Sequence, residues 1–324
     1  MPNTTEGPPA TEALRYESVV REALGCLEGT PMPFDNLNVD VSGVDDRRGR
    51  GMGSPIALGG GGLGIVGVIV VILMQVLGGG GAGSSLLSEN TSSQGTGETT
   101  AELSARCNSE GGIDRYDDCY LIKSYNEINE VWEQQFSNSG YEAPSLVFFE
   151  QGTNTGCNTA SSEVGPFYCP AGRGVYFDLG FLAALQKEFG AQGRYAQTYI
   201  LAHEVGHHIQ TLTGTEARVR TAQSRVGDAQ TLAIGVELQA DCYAGAWSAL
   251  ANRAGNFSIT EKELDQTLNA AAAVGDDRIQ QKTQGRVDPE SWTHGSAEQR
   301  RAAFLQGYQT ANGSACTPLV PLPS

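Results

Sequence analysis

The chain has 324 residues and a formal net charge of −16, with 21 Lys and Arg against 37 Asp and Glu. That balance excludes a nucleic-acid partner, because phosphate binding needs Lys and Arg to displace counterions. It equally excludes recruitment to anionic lipid through a basic surface. The 42 glycines are clustered, which points to flexible segments beside a folded part.

Residues 1–50 are rich in Pro, Glu, Thr and Asp and read as a disordered segment with one short helix near 12–27. Residues 51–80 read as a transmembrane helix with glycine-rich flanks. The stretch 55–77 carries no charge, has Gln75 as its one amide side chain, and is long enough for a hydrocarbon core of roughly 30 Å. Gly64 and Gly67 weaken a helix in water but are tolerated in lipid. Arg47, Arg48 and Arg50 precede the run, and no Lys or Arg follows it until Arg106. The positive-inside rule then predicts a single-pass protein of the cytoplasmic membrane, N-terminus inside and folded domain outside. A cleaved signal peptide ending near Gly80-Gly81-Ala82 is the competing reading, weakened by the long leader before the run. Residues 81–100 read as a flexible Gly/Ser/Thr linker, 101–318 as the folded domain and 319–324 as a tail.

Within the domain, apolar periodicity predicts helices over 122–136, 180–189, 194–212, 216–253, 260–273 and 296–306. Runs of β-branched and aromatic residues predict strands at 145–149 and 174–177, with 152–172 between them as a loop. The fold class that follows is α+β, helix-dominated, with a small sheet, preceded by one transmembrane helix. Either strand is expected to offer an edge to which an extended peptide adds.

Cys26 stands before the apolar run and six cysteines follow it. No Cys-x-x-Cys occurs, which argues against a cysteine-based zinc ribbon. An even set suits an oxidising compartment. Cys107/Cys119 and Cys157/Cys169 share one spacing and are expected to pair locally, leaving Cys242 for Cys316. Each of the two local bridges is worth about 3 kcal/mol on the chain-entropy estimate. Six buried free thiols are the alternative.

His203-Glu204-Val205-Gly206-His207 lies on the clearest helix of the chain. Positions four apart share a helix face, so the two imidazoles can ligate one metal ion, and zinc takes such nitrogens at about 2.0–2.1 Å. Glu204 projects beside the metal, where it can take a proton from water and hand it to a leaving nitrogen. Three of the four histidines fall within six residues, and chance placement of such a motif is rare. The competing reading is two helix histidines that only pack. His208 points about 100° away around the helix and is expected at the surface or behind the ligands. A catalytic zinc needs a third protein ligand and one open position. Glu237 and Asp241 share a helix face, so Glu237 can complete the site while Asp241 accepts a ligand histidine's outer N–H. On spacing alone a solvated acidic face is the stronger reading of that pair.

The His203–His207 motif, with Glu237-Leu238-Gln239-Ala240-Asp241-Cys242-Tyr243-Ala244-Gly245, resembles the neutral zinc metallopeptidase family of bacteria. Asp46-Arg47-Arg48-Gly49, Tyr168-Cys169-Pro170, Ser291-Trp292-Thr293-His294-Gly295 and Glu298-Gln299-Arg300 fit the same pattern. The resemblance covers residues 38–316 and leaves 1–35 as an extension of unassigned role. It implies a zincin-like metalloprotease domain with zinc held by His203, His207 and Glu237, and Glu204 as general base. His294 is then a donor to the oxygen that becomes negative during hydrolysis. Arg300 orients His294 or the substrate, and Trp247 and Tyr243 pack the core. The implied function is a zinc-dependent endopeptidase acting on protein or peptide outside the membrane. A zinc-stabilised scaffold without turnover, a zinc hydrolase of a non-peptide amide and a metal-free membrane binding module are the rivals.

Overall fold

The computed structural model describes residues 34–49, 98–137, 140–162, 165–180, 194–223 and 229–322. In chain order these form β1 (Val44–Asp46), α1 (Thr100–Cys107), α2 (Gly112–Arg115), α3 (Asp117–Gln135), β2 (Ser145–Phe148), β3 (Gly152–Asn154), β4 (Thr159–Ser161), β5 (Phe167–Cys169) and β6 (Gly174–Phe177). Helices α4 (Arg194–Leu212), α5 (Thr215–Gln223), α6 (Ala229–Ala254), α7 (Glu261–Ala273), α8 (Asp276–Gln284) and α9 (Ala297–Thr310) follow. Short 3₁₀ turns occupy Pro289–Ser291 and Gly313–Leu319. Three helices start on capping boxes that satisfy orphan amides of their first turns: Thr99 with Glu102, Thr260 with Glu263, and Ser296 with Gln299.

One sheet runs in the order β1-β2-β6-β5, parallel except for β5, which is antiparallel to β6. Alternation along its strands divides two cores. Leu146, Phe148, Val175 and Phe177 face the main core, with Ile122 and Trp132 of α3, Leu201 and Val205 of α4 and Trp247 of α6. Val147, Phe149 and Tyr176 face a smaller cluster with Phe167 and Ala160 of the β3–β4 hairpin side. The three disulfides are Cys107–Cys119 and Cys157–Cys169, the pairings expected from spacing, and Cys242–Cys316, the pair left over.

Helices α4, α6 and α9 approach backbone to backbone. A Cβ on Gly206 of α4 would stand 2.9 Å from the Ala240 carbonyl oxygen of α6. Between α6 and α9 the contact is closer, since a Cβ on Gly245 or Gly307 would meet a backbone oxygen at 1.9 Å. These three helices form the frame of the candidate site.

The helix-dominated α+β class with a small sheet matches the structure, but four expectations need correction. Among the described residues no helix is long and apolar enough to cross a membrane. The transmembrane helix expected at 51–80 falls outside the described residues, as do the short helix near 12–27, most of the linker at 81–100 and the helix from 181 onward. The single-pass topology is overturned by what flanks that run. Residues before and after it belong to one folded body: β1 pairs with β2 in register Val44↔Leu146, and Phe34, Val39 and Val41 are buried in the main core. Each such burial is worth roughly 1.5–3 kcal/mol. Arg48 and Arg106 both pair with Asp118 at 2.7 Å, so they lie on one side of any membrane. The domain therefore takes in residues 34–49, well before the expected start at 101.

Second, the segment 152–172 is no simple loop, since β3, β4 and β5 occupy it. Three-residue strands are too short to show a period in sequence. Third, the strands at 145–149 and 174–177 are interior; the edges of the sheet are β1 and β5. Fourth, the helix expected over 216–253 is two, α5 and α6.

Asp118 carries a testable consequence. Burial works to raise its carboxyl, but the hydrogen bonds and charges of Arg106 and Arg48 hold it at about 2. A carboxylate depressed on folding contributes stability above its unfolded value near 4, and loses it as pH falls toward 2. Shifts of this size correspond to roughly 2 kcal/mol. Denaturant titrations between pH 5 and 2 (~) should show this loss in the native chain and a flatter profile in Asp118→Asn.

Candidate metal centre

Helix α4 is buried along nearly all its length, and its His203 and His207 face α6. Because Gly206 lets α6 come close, Glu237 reaches both imidazoles. His203 Nε2 is 3.2 Å from His207 Nε2 and 3.3 Å from Glu237 Oε2, and His207 Nε2 is 3.6 Å from Glu237 Oε1. These residues form the one His/Cys/Asp/Glu group among the described residues arranged to hold a metal ion.

The proton positions decide what this cluster is. His203 Nδ1 lies 2.8 Å from Asp241 Oδ1, and a carboxylate only accepts, so Nδ1 carries the proton. His207 Nδ1 lies 2.9 Å from Gln210 Oε1, whose own Nε2 donates to the Val236 carbonyl, so this Nδ1 is also protonated. In their neutral forms, the forms that bind a metal, both rings point an Nε2 lone pair inward, toward each other and toward a carboxylate. Glu237 Oε2 is buried and meets no hydrogen-bond donor. With the rings neutral, three converging acceptors repel one another, and a cation turns that repulsion into bonding. The spacing also fits zinc, since donors on a tetrahedron with bonds of about 2.0–2.1 Å stand about 3.3 Å apart.

Asp241 is the hub behind the ligands. Arg300 of α9 grips it with Nε at 2.7 Å and Nη2 at 2.9 Å, and the Tyr199 hydroxyl donates to the same carboxylate. Burial opposes its charge, yet Arg300 and His203 hold the Asp241 carboxyl at about 2. Burial also works to lower His203, but Asp241 and Glu237 lift it to about 9, so the metal-free ring holds a second proton that a bound metal displaces. His207, answered by a neutral amide, is pushed down by burial. Glu237 is held well below the usual carboxylate range by the histidines, against burial. Glu204 has one oxygen without a partner, and burial pushes it up to about 8; the backbone N–H of Tyr168 on β5 reaches it.

Two expectations change. His208 is fully buried, not at the surface: its Nε2 donates to the Glu142 carbonyl at 2.7 Å and its Nδ1 accepts from Tyr168 at 3.0 Å, which ties the sheet's edge to α4. His294 is buried too, in a turn whose Gly295 lies against Ile234 and Leu238 of α6. Asp276 fastens that turn by accepting the backbone amides of Thr293, His294 and Gly295 at 2.7, 2.6 and 3.1 Å. His294 Nδ1 faces Thr293 Oγ1 at 2.9 Å and Asp276 Oδ1 at 3.2 Å. Arg300 binds Asp241 rather than His294. Sequence reasoning passed over Tyr199, Gln210, Gln239 and Asp276. Helical spacing points to two of them, because Tyr199 is four before His203 and Gln210 three after His207.

Residues 35–319 match the family described as putative neutral zinc metallopeptidase. The chain belongs to this family. It is 42% identical over 221 residues to the uncharacterized protein Rv2575 of Mycobacterium tuberculosis (strain ATCC 25618 / H37Rv), spanning 65% of this chain and 74% of that one. It is 44% identical over 191 residues to the uncharacterized protein YpfJ of Escherichia coli (strain K12), spanning 58% of this chain and 66% of that one. No solved structure matches it. Membership implies zinc as the metal and a protein or peptide as the substrate.

Removing one member of a buried, hydrogen-bonded ion pair leaves the other charge uncompensated and costs about 3–5 kcal/mol. Asp241→Asn should therefore destabilise the metal-free protein by that order in urea unfolding, because Arg300 is left facing an amide.

Proposed function

We propose that this protein is a zinc-dependent endopeptidase in which His203, His207 and Glu237 hold the metal and Glu204 moves the proton. The observation that carries the reading is the set of three inward-facing acceptors at tetrahedral spacing, with a partnerless Glu204 oxygen beside them. Bound there, zinc supplies Lewis acidity that polarises a carbonyl and acidifies water. Glu204 follows the first ligand on α4 and accepts the proton of the attacking water on Oε2. It then returns that proton to the amine nitrogen as the peptide bond breaks. A purely structural site has no use for such a base.

His294 supplies the donor for the carbonyl oxygen as it becomes negative. Its Nδ1 is engaged by Thr293 and Asp276, so Nε2 is the nitrogen left to face substrate. Asp241 and Arg300 hold His203 in its ligand orientation. The substrate is an extended peptide chain that pairs with the edge of β5, the strand whose Tyr168 amide reaches Glu204. Three disulfides support action in an oxidising compartment.

The test uses the full chain: metal content and hydrolysis of an unfolded protein, for native, Glu204→Gln and His294→Ala. One zinc per chain is expected in all three. Glu204→Gln should lower kcat about 10²–10⁴-fold, the usual reach of a general base. His294→Ala should lower it about 10²–10³-fold, typical of one oxyanion donor. Zinc without cleavage in the native chain would point to a scaffold or a non-peptide amide substrate, and no zinc would overturn the ligand assignment.

A further inference from the structure

The inner nitrogen of His207 is governed by a chain of buried groups that ends at a disulfide. His207 Nδ1 donates to Gln210 Oε1 at 2.9 Å. Gln210 Nε2 donates to the Val236 carbonyl at 2.7 Å and to Gln239 Oε1 at 3.1 Å. Gln239 Nε2 donates to the Cys316 carbonyl at 3.2 Å. Both glutamines are 1% exposed, so water cannot stand in for a lost bond.

Each orientation follows from the one before. A carbonyl oxygen only accepts, so Gln239 must turn Nε2 to Cys316 and Oε1 to Gln210. Gln210 must then turn Nε2 to Gln239 and Oε1 to His207. Nδ1 of His207 must carry the proton, which leaves the Nε2 lone pair for the metal. A flip of Gln210 reverses this polarity and draws the proton onto Nε2, where it blocks ligation; the Val236 carbonyl and Gln239 Oε1 both accept from Gln210 Nε2 and oppose that flip. The anchor is the Cys316 carbonyl, in the 3₁₀ turn Gly313–Leu319, and Cys316 is bonded to Cys242, three residues beyond Gln239 on α6. The disulfide thus fixes the turn over the face of α6 from which the relay begins.

We propose that Gln210 and Gln239 are positioning residues for the metal ligand His207, and that the Cys242–Cys316 disulfide sets metal affinity through the Cys316 carbonyl at the head of this relay. The inference rests on His207 being a ligand. Asp241 does the corresponding work for His203 with a charge, whereas this relay is neutral and depends on the placement of a terminal segment.

Zinc affinity of the full chain, measured by competition with a chromophoric chelator, tests it. The variants are Gln210→Leu, Gln239→Leu, Gln239→Glu, the pair Cys242→Ala with Cys316→Ala, and as control the pair Cys107→Ala with Cys119→Ala. Glutamate at position 239 keeps the acceptor for Gln210 and sets an oxygen against the Cys316 carbonyl, so it serves if the leucine variants do not fold. Metal-free melting curves check the fold of each. Partners that orient a ligand typically change affinity about 10–100-fold, and a weakening of that size is expected in the relay and Cys242/Cys316 variants. The control pair should lower the melting temperature and leave affinity within about twofold. Folded relay variants that bind zinc as tightly as the native chain would overturn the relay alone. Equal weakening in the control would assign the effect to general stability and overturn it too. A native chain that binds no zinc would instead remove the ligand assignment, and the relay with it.

Discussion

Helices α4 and α6 touch where Gly206 meets Ala240, and the candidate site depends on that contact. Two ligands stand on one helix and the third on the other, so their 3.3 and 3.6 Å separations require the two backbones to lie side by side. Any side chain at 206 would collide with the Ala240 carbonyl and separate Glu237 from the histidines. The same device recurs one layer further out, where Gly245 and Gly307 bring α9 against α6 and place Arg300 on Asp241. Close-packed helices without intervening side chains cannot slide or tilt cheaply, which holds the donor atoms at fixed spacing.

The charges between these helices make the interior costly. A buried ion pair such as Asp241–Arg300 is often no better for stability than well-packed apolar groups of the same volume. Its effect here is local: Asp241 takes the proton of His203 Nδ1 and directs the other nitrogen inward. Glu204 and Glu237 each keep a buried oxygen without a donor, a further penalty concentrated at one place. The disulfides offset such costs, at about 3 kcal/mol for each of the two short loops on the chain-entropy estimate and more for the longer one. The site is therefore the strained part of a domain stabilised elsewhere.

Residues 34–49 show how the rest of the domain is closed. Phe34 packs edge-on against Tyr120 and Phe257, Val39 hangs on Asn108, and Arg48 reaches the Asp118 that Arg106 also holds. Residues on both sides of the apolar run are thus joined through a single carboxylate. That joint, more than any property of the run itself, removes the topology with one end inside and the other outside.

Much of the site was legible because it is written locally. The shared face of His203 and His207, with Glu204 between, follows from helix periodicity alone, and the two local cysteine pairings followed from their common spacing. Glu237 was legible only through resemblance, since a Glu and an Asp four apart describe any solvated helix face until a second helix is laid against them. Arg48, before the apolar run, read as a topology signal because its partners, Asp46 and Asp118, are found only after folding. Likewise β1 has no period of its own and exists through pairing with β2. The sequence by itself determined most of the helices, the two histidines on one helix face and the two local cross-links, all set by neighbours along one chain. Tertiary structure alone decided which strand is an edge, where His294 lies, and how Gln210 and Gln239 are turned. Those depend on contacts between elements far apart in sequence, for which local periodicity carries no signal.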